Sequence, residues 1–275
     1  MSLEESASRC VGNPRSLSRM DSFDSEPQRT ATEEEGPAVW GLGATLLWTL
    51  LIAFVFLVVQ TIAAVAYAVG TMHDLSRVEA EAALRALTFD GLFLSICTFA
   101  TLLVGVPLIV GIVKLKRGSK LKEYLALVAP SPRQVLAWSI IVVAFGVLTD
   151  FFLSLLRQPQ VPEFMLRVYG STHPRWLLWL AIIIAAPIFE EIAFRGFVFK
   201  GLAASRLRWY GATIITSVLW AGIHLQYDWY EISVIFALGL VLGTARAMTN
   251  STLLTMWLHC LVNLFATIQM AMLLK

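Results

Sequence analysis

An all-α, polytopic membrane bundle of about seven to eight spans is the fold class the sequence predicts. Three observations predict it. Of 275 residues, 57% are hydrophobic and only 15% are charged, whereas a soluble domain is nearer half apolar and a quarter charged. The mean hydropathy is +0.72. From Trp40 onward, apolar runs recur at close to the length of about 20 residues that a helix needs to cross about 30 Å of hydrocarbon. This composition excludes a water-soluble enzyme and a disordered scaffold. The formal charge of +2 is too small for a polyanionic partner, so no nucleic acid is expected. Cys10, Cys97 and Cys260 are too scattered for a disulfide framework or a metal-ligand spacing.

The elements follow in order. Residues 1–38 are rich in Ser, Glu, Asp and Arg and poor in aromatics. They bury too little apolar surface to offset the entropy of ordering and read as a disordered tail. The remainder, 39–275, reads as one membrane domain. Spans are expected at about 40–69, 91–113, 134–156, 176–199, 211–227, 230–248 and 252–274. Residues 71–90 are polar but carry Leu75, Val78, Ala82 and Leu87, the pattern of an amphipathic helix at the membrane interface. Residues 115–133 form a basic connection. Lys and Arg collect in the tail and in the loops around Lys114–Arg133 and Lys200–Arg208, and are sparser in the alternate loops. That bias predicts a cytoplasmic amino terminus.

Charged residues inside a span cost about 2.5–3.5 kcal/mol each on insertion scales, so they face a cavity or a partner. The carboxyl-terminal half collects several: Glu190, Glu191 and Arg195 in the fourth span, His224 in the fifth, His259 and Asn263 in the seventh. Glu191 and Arg195 are four apart with the acid first, the favourable order for a helical ion pair. Glu190 points about 100° away on the same helix and has no partner nearby in the sequence. His259 and Asn263 share one face. Glu190 and His224 stand at equal offsets on either side of the turn expected near Arg206–Arg208, which puts them at one height. Trp220 and Phe194 are expected to wall a substrate pocket. Gly239 and Gly243 form a GxxxG, the signature of close helix contact.

A carboxylate, two imidazoles and a carboxamide in an apolar pocket suit hydrolysis of a peptide bond by an activated water. Two versions are open. Glu190 and His224 polarise the water directly while His259 and Asn263 receive the oxyanion. Alternatively Glu190, His224 and His259 ligate Zn²⁺ or another divalent metal. A non-catalytic immunity or scaffold protein is the rival reading. A transporter is a third, weakened because no inverted repeat is visible.

The ordered set EExxxR at Glu190 to Arg195, aromatic-x-x-x-His at Trp220 to His224 and HxxxN at His259 to Asn263 resembles the CPBP family of intramembrane proteases. This is the CAAX prenyl endopeptidase and bacteriocin-processing, or Abi, group. The resemblance covers roughly residues 90–274 and is strongest from 176. It implies a helical membrane fold that cuts a peptide or membrane-protein substrate, including prenylated ones, beside the bilayer. It implies Glu190 and His224 as water activators, His259 and Asn263 as oxyanion donors, and Glu191 and Arg195 as supports. The family carries both a metalloprotease label and a metal-free glutamate mechanism; the metal-free version is favoured, with no cofactor. Trp220 departs from the family, where phenylalanine is common. The seven expected spans also depart from the eight of CAAX-cleaving relatives.

Overall fold

The computed structural model describes residues 38–72 and 75–274. The expected tail falls, up to residue 37, outside them, as does His73. Ten helices follow in order: α1 Leu42–Met72, α2 Arg77–Ala86, α3 Gly91–Leu115, α4 Leu121–Tyr124 and α5 Pro132–Leu155. Then come α6 Glu163–Ser171, α7 Arg175–Ala203, α8 Arg208–Gly222, α9 Trp229–Thr249 and α10 Thr252–Leu273. No strand occurs among the described residues.

Six of these helices are long and apolar enough to cross a membrane: α1, α3, α5, α7, α9 and α10. The chain is a multi-pass membrane protein. The fifth expected span, 211–227, is corrected to the 15-residue α8. At 1.5 Å per residue α8 is roughly 22 Å long, short of the hydrocarbon thickness. Gly222 and the polar run His224–Asp228 end it early.

Local sequence sets the helix ends. Ser76 and Glu79 close a capping box on α2, and Ser131 and Gln134 do the same for α5, which has Pro132 in its first turn. The Asp90 carboxylate accepts from Leu92 N–H and Phe93 N–H at 2.9 and 3.0 Å and starts α3. Asn250 takes the left-handed conformation, φ 48°, that stops α9, and its Oδ1 accepts from Arg246 at 3.0 Å. Ser251 and Thr252 then donate to the carbonyls of Val128 and Leu125 at 2.6 and 2.7 Å. The connection after α4, expected only as a basic linker, is thereby anchored to the start of α10. Tyr124 stacks on Phe197 there, and burial pushes its phenol up to about 12.

Helix α7 is the axis of the molecule. Its Phe189, Ile192, Phe197 and Leu202 pack against Ile109 and Ile112 of α3 and Ile52 of α1. A second core joins Val142 of α5, Trp220 of α8, Leu238 and Leu242 of α9, and Leu254 and Leu258 of α10. Phe194 packs against both. By contrast α1 and α5 present Leu47, Leu50, Phe54, Leu136, Val147 and Phe151 outward, the faces that meet lipid.

Between α8 and α9 the GxxxG acts as the spacing predicts. A Cβ on Gly239 would stand 2.9 Å from Ser217 Cβ, and one on Gly243 would stand 2.8 Å from Thr213 Cγ2. Only glycine permits that approach, and close packing is what holds helices together in lipid. These contacts also fix register. With 239 beside 217 and 243 beside 213, the last residue of α8 lies level with the second turn of α9.

Candidate active site

Glu190 and Glu191 lie at a change of backbone geometry within α7. Residues Ala186–Glu190 are α-helical, and Glu191–Val198 have the wider π-helical turn. Ala181–Ala185 is π-helical too. Such turns are rare and concentrate at functional sites. The two acids meet different environments.

Glu191 is fully buried with Arg195, their Oε1 and Nη1 atoms 2.9 Å apart. That is the pairing the four-residue spacing predicts. Glu191 also meets His259 of α10, Nδ1 to Oε1 at 3.0 Å, a contact the sequence did not signal. Arg195 reaches further: Nη2 donates to the Gly239 carbonyl at 3.4 Å, and its guanidinium lies 4.5 Å from the centre of the Trp220 ring. The Nε–H of Arg246 donates in turn to the Arg195 carbonyl at 3.0 Å. A buried ion pair is tolerated when its geometry is good and further hydrogen bonds support it; here Glu191 Oε2 and Arg195 Nε are left without a partner. This one ties α7 to α9 and α10.

Glu190 turns toward α8. Its Oε2 accepts the Trp220 indole N–H at 2.6 Å and stands 3.9 Å from His259 Nε2. Its side chain keeps 14% exposure while that of Glu191 has none. His259, 4% exposed, therefore stands between two carboxylates, held by Glu191 on one ring nitrogen and turned to Glu190 with the other.

Trp220, expected on a pocket wall, is 2% exposed and joins the rest together. Its ring meets those of His224 and His259 edge-on, with centroids 5.5 and 5.1 Å apart. Its carbonyl lies 2.7 Å from His224 Nδ1. His224 is not inside a span as expected. It sits in the turn after α8, half-buried, with its ring stacked on Tyr227 at 6.0 Å. Asn263 lies one turn beyond His259. Its Nδ2 donates to the Ile182 carbonyl at 2.8 Å, inside the first π-helical stretch.

The metal version fits poorly. Among the described residues no three His, Cys, Asp or Glu side chains group as a metal would require. Asp150 of α5 accepts from Gln269 Nε2 of α10 at 2.9 Å.

Residues 172–265 match a family model. The matching family model is described as type II CAAX prenyl endopeptidase Rce1-like. No curated protein and no solved structure matches the chain. The Rce1-like segment runs from the turn before α7 to the second half of α10. It thus encloses Glu190, Glu191, Arg195, Trp220, His224, His259 and Asn263, and it agrees with the CPBP resemblance carried by their motifs. It supports the intramembrane CAAX-type protease fold.

Proposed function

We propose that the chain is an intramembrane endopeptidase that hydrolyses a peptide bond beside the membrane, with a water activated by Glu190 and His224 and no metal. The observation that carries this reading is Glu190 itself. It is a partly exposed carboxylate in an apolar Rce1-like segment, held by one indole and facing one imidazole. In the reaction Glu190 takes a proton from the water, assisted by His224, and the hydroxide adds to the scissile carbonyl carbon. In this reading His259 Nε2 and the second amide proton of Asn263, the first being held by the Ile182 carbonyl, donate to the negative oxygen that forms. The intermediate collapses with cleavage of the C–N bond, and the proton returns to the leaving amine. A carboxylate and an amine are the products. Glu191 and Arg195 hold His259 and the helix in place. The substrate class is a peptide or membrane-protein segment, with a prenylated CAAX peptide the first to test.

The test is cleavage of a quenched fluorescent farnesylated CAAX peptide by the protein in detergent micelles. Glu190→Gln and His224→Ala should each lower kcat/KM by about a hundredfold or more, with unchanged insertion and thermal midpoint. Normal cleavage by Glu190→Gln would leave the non-catalytic scaffold as the better reading. Activity that survives prolonged chelation supports the metal-free route; activity lost to chelator and restored by Zn²⁺ defeats it.

A further inference from the structure

We infer that Trp220 is a positioning residue that selects which oxygen of Glu190 acts as the base. The inference rests on the reading of Glu190 as water activator and adds a specific device to it.

The indole has one N–H and no acceptor, and that N–H points at Glu190 Oε2 from 2.6 Å. A bond that short to an ionised acceptor belongs to the strong class. The same Oε2 faces His259 Nε2 at 3.9 Å. Both neighbours therefore sit on one oxygen, and Oε1 is the atom left to receive a proton. The indole cannot swing to release Oε2. Arg195 covers its face at 4.5 Å, two imidazoles meet it edge-on, and it is 2% exposed. A free glutamate samples several side-chain torsions; this one is pinned at its far end. A phenylalanine in the same place keeps an aromatic ring but has no donor.

Trp220→Phe therefore separates the donor from the ring. With the farnesylated CAAX peptide, kcat should fall about tenfold or more, as loss of one hydrogen bond to a charged group predicts. KM should stay within about twofold, because no ground-state contact to substrate is removed. The thermal midpoint should hold. A second measurement reads the bond directly. In protein labelled with ¹⁵N-tryptophan, the Trp220 indole resonance is assigned by its loss in Trp220→Phe. It should lie downfield and move upfield in Glu190→Ala. Wild-type kcat in a folded Trp220→Phe overturns the proposal, and so does an indole resonance that ignores Glu190→Ala. If Trp220→Phe fails to fold, the resonance in wild type and Glu190→Ala decides. If the wild type leaves the peptide uncut, the protease reading loses its support, while the resonance still reports whether the indole holds the carboxylate.

Discussion

Adjacent glutamates in α7 show how much one residue step matters. Glu191 is buried against Arg195 and His259, whereas Glu190 keeps a partly exposed side chain. Removing one partner of a buried pair strands the other charge, at a cost of about 3–5 kcal/mol. Arg195→Met should therefore lower stability by about that amount in chemical unfolding in detergent. Glu191→Gln/Arg195→Met should recover part of the loss, because no charge is stranded and an acceptor for His259 Nδ1 remains. A single variant as stable as the parent would contradict the pairing. The Glu191–Arg195 bond was legible because helical neighbours four apart must meet. The Trp220–Glu190 bond was not, since its partners lie on different helices and a tryptophan in an apolar run reads as packing. The second contact of Glu191, to His259, was hidden for the same reason.

Among the elements, the α8–α9 pair is the tightest approach that a sequence spacing announced. Gly243→Val places new methyl groups against Thr213, whose Cγ2 is already 2.8 Å from the position of a Cβ. Overpacking of this kind costs about 1–3 kcal/mol. The thermal midpoint of Gly243→Val should fall, and Thr213→Ala in the same chain should restore much of it. An unchanged midpoint would mean that α9 does not rest on α8 as described. The π-helical turns of α7 escaped the sequence entirely. Neither Ala181–Ala185 nor Glu191–Val198 carries a glycine pair or proline that would mark a widened turn. The first exposes the Ile182 carbonyl to Asn263, so the turn is bound up with packing between α7 and α10. Hydropathy likewise located the apolar stretch of α8 but not its end, because an averaging window blurs the stop that Gly222 introduces.

For the molecule as a whole, the polar network draws on α7, α8, α9 and α10, and composition with the length of the apolar runs foretold a helical membrane bundle. The side on which the chain begins is a separate matter. The Lys and Arg bias supports a cytoplasmic amino terminus, which puts the connection between α3 and α4 on the same face. A Ser119→Cys reporter, in a chain with its three cysteines replaced, should resist an impermeant thiol reagent in vesicles that enclose the cytoplasmic face. It should label once they are permeabilised. Labelling in sealed vesicles would reverse the orientation.

The register of α8 on α9 has a consequence for the solvent. Set by Gly239 and Gly243, it makes α8 stop about five residues, roughly 8 Å, before the level at which α9 begins. Residues 223–228 must climb that step without a regular helix, and such backbone does not endure contact with acyl chains. A helix too short for its membrane thins the lipid around it, so the bilayer surface is expected to dip at this corner. Trp229, exposed at the step, is the residue type that settles among headgroups. A dimple there would bring bulk water down to His224, so that in the hydrolysis proposed above the one reactant that hydrocarbon keeps out needs no channel.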